Sequence, residues 1–160
     1  MSKILKVKAR QVFDSRGIPT VEAEVYIKNN SASAICPSGA STGSFEAFEK
    51  RDKNNKRYLG KSVLSAINLI NTKISKKLKG QDIHNQERID TLLINLDGTR
   101  QKVNLGANSM LAVSMAVKKL SAKVKKLPLY KTFFLKKNFQ LPYPLMNIIN
   151  GGAHANNGLR

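Results

Sequence analysis

Along residues 4–14 the apolar positions Leu5, Val7, Ala9 and Val12-Phe13 fall close to every second residue. That is the period of a strand, with a slip near its end. Asp14-Ser15-Arg16-Gly17-Ile18-Pro19-Thr20 interrupts it, and the glycine and proline mark a turn. Val21, Ala23, Val25 and Ile27 then alternate with Glu22, Glu24 and Tyr26, which predicts a half-buried strand. Lys28-Asn29-Asn30 turns the chain again, and residues 33–36 predict a third short strand. Three successive strands with short links predict an antiparallel meander.

Beyond residue 43 the period changes. Residues 44–52 are short and charged, and Asn54-Asn55-Lys56 reads as loop. From Gly60 the positions Val63, Ala66-Ile67, Ile70, Ile74 and Leu78 share one helical face, ending at Gly80. Asn85 is placed to cap a second helix with Ile89, Leu92-Leu93 and Leu96 inward, stopping at Asp97-Gly98. Leu105-Gly106-Ala107-Asn108 leads into a third, with Met110-Leu111, Ser114, Val117, Leu120-Ser121 and Val124 on its expected buried side. Pro128 ends it, residues 129–136 predict a fourth, shorter helix, and Leu141-Pro142-Tyr143-Pro144 opens an extended run towards Asn150-Gly151-Gly152. Strands first and helices second predict an α+β fold, a three-stranded meander followed by a helical bundle. No internal repeat or low-complexity linker interrupts the pattern.

Length and composition change the picture little. At 160 residues with 41% hydrophobic content the chain holds one domain's worth of core. No run of eighteen apolar residues and no basic-then-apolar leader is found, so neither a membrane span nor a signal peptide is expected, and a soluble cytoplasmic location is. Cys36 is the single cysteine, which excludes an internal disulfide and a cysteine-based metal cluster; it reads as a small buried residue. The charge is another matter. Against 10 acidic residues stand 28 Lys and Arg, a net +18. Such a surplus suits an anionic partner. The lysines are nevertheless scattered singly and in pairs, without the arginine-rich or aromatic-interleaved patch of a nucleic-acid binder, so nucleic acid is disfavoured.

The candidate chemistry lies in Pro37-Ser38-Gly39-Ala40-Ser41-Thr42-Gly43, seven residues with two glycines, three hydroxyls and no bulky side chain. Glycines allow positive φ and close approach to a ligand, while hydroxyl oxygens can bind a hard cation and successive N–H groups an anion. An ordinary flexible loop has the same composition.

Four stretches together carry more than any one of them. They are Asp14-Ser15-Arg16-Gly17 with Pro19-Thr20-Val21-Glu22; residues 37–43 followed by Phe45-Glu46-Ala47; Leu96-Asp97-Gly98-Thr99 with Leu105-Gly106-Ala107-Asn108; and residues 147–155. In that order and over essentially the whole chain, they resemble enolase (phosphopyruvate hydratase). The resemblance implies an N-terminal domain of three antiparallel strands and helices over 1–140, with 141–160 the start of the connection into a C-terminal barrel. It implies reversible dehydration of 2-phosphoglycerate to phosphoenolpyruvate with two Mg²⁺ ions, usually in a homodimer. By the same resemblance, the loop Ser38, Gly39, Ala40, Ser41, Thr42 and Gly43 is a mobile lid hinged at Gly39 and Gly43. Ser41 is then a ligand of the second Mg²⁺, and His154 reaches the substrate near its phosphate. Arg10 and Glu22 resemble residues that form salt bridges across the dimer. His84 matches no functional position.

Three departures qualify the match. Ile18 stands where an asparagine is usual, and Lys50 and Arg100 are more basic than the family's pattern. Moreover, a barrel needs on the order of 200 residues or more, and with it would come the general-base lysine, the acid glutamate and the three carboxylates of the first Mg²⁺. The expectation is therefore a truncated enolase, catalytically inactive alone, whose barrel-facing apolar surfaces leave it prone to aggregate. The alternative is a non-catalytic, basic, enolase-derived protein that binds nucleic acid or another anionic surface.

Overall fold

A computed structural model describes residues 2–39, 43–54, 56–133, 139–151 and 157–158. Strands β1 (Lys6–Phe13), β2 (Pro19–Tyr26) and β3 (Ser31–Cys36) form one antiparallel sheet in the order β1-β2-β3. Val7 lies opposite Val25, and Ala23 is flanked by Ala9 and Ala34, so small and branched residues meet on the buried face. The other face carries Lys8, Arg10, Glu22 and Glu24. The expected meander is present, with two adjustments. Leu5, in phase with Val7, is exposed while Ile4 is buried, because Ile4 exchanges backbone hydrogen bonds with Gly80 and Gln81 before β1 begins. And β3 starts at Ser31 instead of residue 33, where Ser31 Oγ donates to Glu24 at 2.8 Å.

The helix expected over 60–80 begins later. Residues Tyr58–Gly60 form a single 3₁₀ turn with Leu59 at φ 52°, and the chain becomes helical at α1 (Leu64–Leu69). The Asp52 carboxylate sets that start by accepting from the N–H groups of Leu64 (2.9 Å) and Ser65 (2.8 Å). A π-helical turn, Ile70–Ile74, leads into α2 (Ser75–Leu78). This stretch lies along β1 and satisfies its free edge. Val7 N–H donates to Ser75 Oγ at 3.0 Å and Ala9 N–H to Asn71 Oδ1 at 2.7 Å. An edge strand that would otherwise invite pairing is thereby covered.

Helix α3 (Gln86–Asp97) is capped by Asn85, as expected, through a 3.0 Å bond from Arg88 N–H, and ends at Gly98 with φ 71°. Helix α4 (Ala107–Val124) packs across β2 and β3. Of its expected inward positions Met110, Val117, Leu120 and Ser121 are buried, whereas Leu111 is exposed and Ser114 and Val124 are half-buried. Ala112, Val113 and Ala116 take the inner face instead. α4 is buried by the sheet as well as by its helical neighbours, and small residues let it approach closely. Of the fourth helix expected over 129–136, the described part is one 3₁₀ turn, Leu129–Thr132, and residues 134–136 lie outside the described residues. Residues 139–151 contain no helix or strand, and Leu145 is fully exposed at 100%. Among the described residues no helix is long and apolar enough to cross a membrane.

Candidate functional site

The arms of the Gly/Ser loop are positioned by a strap, residues 48–52, in which alternate residues do different work. Phe48 donates to Gln101 O (2.7 Å) and accepts from Ala107 N–H (2.8 Å). Lys50 is held by the Asn108 amide, which accepts from Lys50 N–H at 3.1 Å and donates to Lys50 O at 3.0 Å. Asp52 caps α1. These three fasten the strap to the helical layer and leave Glu49 and Arg51 to face the loop.

Gly106 makes that fastening possible. Its φ is 88°, and a Cβ there would lie 2.5 Å from Lys50 Cβ and 2.7 Å from Asn108 Oδ1. Asp97 holds the approach to Gly106. Its side chain, on a residue only 2% exposed, accepts from Thr99 N–H (3.0 Å), the Thr99 hydroxyl and Leu105 N–H (2.7 Å). Burial pushes the Asp97 carboxyl up, but the donors from Thr99 and Leu105 outweigh it and hold it below the usual carboxylate range.

Ser38 is where the strap meets the loop. Its hydroxyl donates to Glu49 Oε1 at 2.5 Å and accepts from Arg51 Nη2 at 2.7 Å, while Arg51 Nη2 also reaches Glu49 Oε1 at 2.9 Å. The other guanidinium nitrogen of Arg51, Nη1, donates to Pro19 O (3.0 Å) and Lys61 O. From the β1–β2 turn, Arg16 Nη2 donates to Ser38 O at 2.7 Å. That turn is built by Asp14, whose Oδ1 accepts from Arg16 N–H and Ile18 N–H, each at 2.9 Å. The Ile18 N–H, then that of Arg16, holds the Asp14 carboxyl below its ordinary range. Ile18 thus serves the turn through its backbone, and its side chain is no obstacle. A cavity of about 560 Å³ opens beside these groups, lined by Ser38, Gly39, Gly43, Phe48 and Arg51 among others. Burial pushes the thiol of half-buried Cys36 up, with the charge of Glu49 adding to the effect.

Of the expected site residues, Ser38, Gly39 and Gly43 frame this cavity. Ala40, Ser41 and Thr42 lie outside the described residues, as does His154. Earlier in the same stretch of chain, Asn150 receives the amides of Asn147 (2.5 Å, at Oδ1) and Asn157 (2.6 Å, at its carbonyl). Arg10 and Glu22 are brought together on the exposed sheet face, 2.6 Å apart. His84 Nδ1 lies 2.8 Å from Ser121 Oγ, remote from the loop in the fold. Sequence reasoning gave no site role to Arg16, Glu49, Arg51 or Asn108, polar groups that each bond a residue more than ten positions away. A signal was present in the arginine and carboxylate of residues 49–51, a short way after the loop.

A family described as "Enolase, N-terminal domain" matches residues 4–133. The chain belongs to the enolase family. A curated relative, "Enolase" of Pelagibacter ubique (strain HTCC1062), is 80% identical over all 160 residues. Those residues cover 38% of that protein, so the chain spans well under half of its relative's length. One enolase stretch now has a structural role: its two halves, Asp97-Gly98-Thr99 and Leu105-Gly106-Ala107-Asn108, hold the strap to which Ser38 is bonded.

Proposed function

We propose that this chain is the N-terminal part of an enolase, the glycolytic lyase that converts 2-phosphoglycerate reversibly to phosphoenolpyruvate. It would supply the lid loop 37–43 and His154 to a reaction centre built on a barrel entered through residues 141–160. The observation that carries this reading is the anchoring of Ser38. A loop of no packing value is joined to the fold by two arginines and a carboxylate, as a loop with work to do would be.

The described residues do not build a Mg²⁺ site. Among them no three His, Cys, Asp or Glu side chains are grouped to hold a metal. Of the carboxylates beside the loop, Glu49 is engaged by Ser38 and Arg51 and Asp14 by Arg16 and backbone N–H groups, which leaves Glu46, next to Gly43, as a single carboxylate and not a metal-holding group among the described residues. In this proposal Mg²⁺ meets the chain through Ser41, and the remaining ligands, the acid and the base come from the barrel. The chain alone is then inactive. Within the same reading, the homodimer with cytoplasmic residence is carried over from the family. Its use of Arg10 and Glu22 would require them to extend or exchange the pair they make with each other.

The test is phosphoenolpyruvate formation from 2-phosphoglycerate with excess Mg²⁺, on the chain alone and on the chain continued with the remainder of the Pelagibacter ubique relative. No turnover is expected from the first and clear turnover from the second. In the continued protein Ser41→Ala is expected to lower kcat by about tenfold or more. Turnover by the 160 residues alone would overturn the proposal.

A further inference from the structure

The two edges of the sheet are treated differently. Along β1, Ser75 and Asn71 take up the outward N–H groups of Val7 and Ala9. In an antiparallel ladder, successive residues bond alternately to one side and the other. Ile27 N–H donates to Asn30 O at 2.9 Å across the β2–β3 turn. In this register Ala32 and Ala34 face β2, and Ser31, Ser33 and Ile35 turn their N–H and C=O groups outward. Lys123 agrees with that direction, since its Nζ donates to Ser31 O at 3.0 Å. Among the described residues none bonds the outward backbone groups of Ser33 and Ile35. A cavity of about 720 Å³ lies along this stretch, lined by Ser33, Ala34, Ile35 and Lys119 among others. On the outer face of the sheet, opposite Glu22, Ile35 is 45% exposed. On the other face α4 presents Lys119 and, one helical turn on, Lys123, both exposed.

We propose that the open edge of β3 is a docking site for an extended acidic segment of another protein, added to the sheet as a fourth strand. Backbone bonds to Ser33 and Ile35 set its register. Its side chains alternate between the sheet's two faces, apolar ones over Ile35 and carboxylates towards Lys119 and Lys123. The spacings agree. Residues two apart in a strand are separated by about 6.7 Å, and residues four apart in a helix by about 6 Å. A second copy does not suit the edge, because it would bring a net charge of +18 to a strand flanked by lysines. The same lysines that keep basic chains from pairing here admit an acidic one.

The test is residue-resolved amide exchange with an end-blocked peptide, Val-Glu-Val-Glu-Val-Glu, as the probe. At ten times its dissociation constant the peptide should slow exchange at Ser33 and Ile35 about tenfold. Ala32 and Ala34, already bonded to β2, should not change. Lys119→Glu, an exposed substitution that leaves the core intact, should weaken binding about tenfold, and a Val-Lys counterpart of the peptide should not bind. Ser33→Pro removes an outward donor without breaking a ladder bond and should weaken binding likewise. Equally tight binding of the block peptide Glu-Glu-Glu-Val-Val-Val would mean that the charge of +18 acts without the edge, and would overturn the proposal. So would binding that leaves Ser33 and Ile35 unslowed. Slowing of the same two amides by a raised concentration of the chain itself would make a second copy the occupant and overturn it as well. The chain continued with the remainder of its Pelagibacter ubique relative should bind the peptide as tightly. Loss of binding there would assign the edge to the rest of that protein, and the proposal would fail.

Discussion

Gly106 has no side chain because the strap passes where one would stand. Its φ of 88° is a conformation that L side chains rarely adopt, and Lys50 Cβ would lie 2.5 Å from an added methyl. The backbone conformation alone costs a non-glycine residue roughly 1–3 kcal/mol. Relieving the overlap would push Lys50 away from the Asn108 amide that brackets it. Gly106→Ala is therefore expected to do two things: lower stability by about 2 kcal/mol or more in urea unfolding, and loosen the Ser38 arm in hydrogen exchange although the two residues are not in contact. Gly80, by contrast, has φ of 82° but open space around it, so Gly80→Ala should show strain and leave the loop undisturbed. The glycine of this enolase motif gives clearance between two segments.

Among the elements, the sheet shows what the sequence makes legible and what it hides. Alternation along β2 sorted Val21, Ala23 and Val25 from Glu22 and Glu24 without any structure, because a half-buried strand writes its environment in its period. The α3 cap was equally visible, since Asn85 needs only its own helix. The inner face of α4 was not. Leu111 was expected inside and is exposed, for α4 meets a sheet and further helices together, and a periodicity argument cannot say how wide the buried face is. Nor could it pair Arg51 with Ser38, because that contact depends on how three elements converge. On the outer sheet face a local polar cluster makes its own prediction. Glu24 accepts from the Tyr26 hydroxyl at 2.6 Å and from Ser31 at 2.8 Å, with Arg10 at 3.5 Å. The Tyr26 bond, then that of Ser31, lowers the Glu24 pKa, while the Glu24 bond raises that of Tyr26. The depressed carboxyl contributes stability above its unfolded pKa of about 4.3 that is lost as pH falls through the folded value. The raised phenol contributes stability below about pH 10 that is lost as pH rises through its folded value. In urea titrations from acid to alkali, Glu24→Gln should flatten both limbs. An unchanged profile would show that Arg10, Tyr26 and Ser31 do not act through Glu24.

At the scale of the whole molecule, charge and apolar exposure oppose each other. Eight of the ten carboxylates are bound up in caps, turns and ion pairs within the fold. The local structure uses the acids, and most of the 28 cations are left to repel one another at the surface. Residues 139–151 meanwhile present Leu141, Tyr143, Leu145, Ile148 and Ile149 to solvent. An apolar strip of that kind favours association of copies, and like charge holds the copies apart. Salt should decide between them. Raising ionic strength from about 0.01 M to about 1 M shortens the screening length from about 30 Å to about 3 Å. The isolated chain should then gain thermal stability as internal repulsion falls, and at the same time begin to self-associate, as read by light scattering. A chain ended after Phe139 removes the strip but keeps the sheet and all four helices. It should show the same gain in stability and remain monomeric throughout. If it associates as readily as the full chain, the interacting surface lies on the folded core, and the exposed faces of α3 and α4 around Ile94 and Leu111 become the place to look.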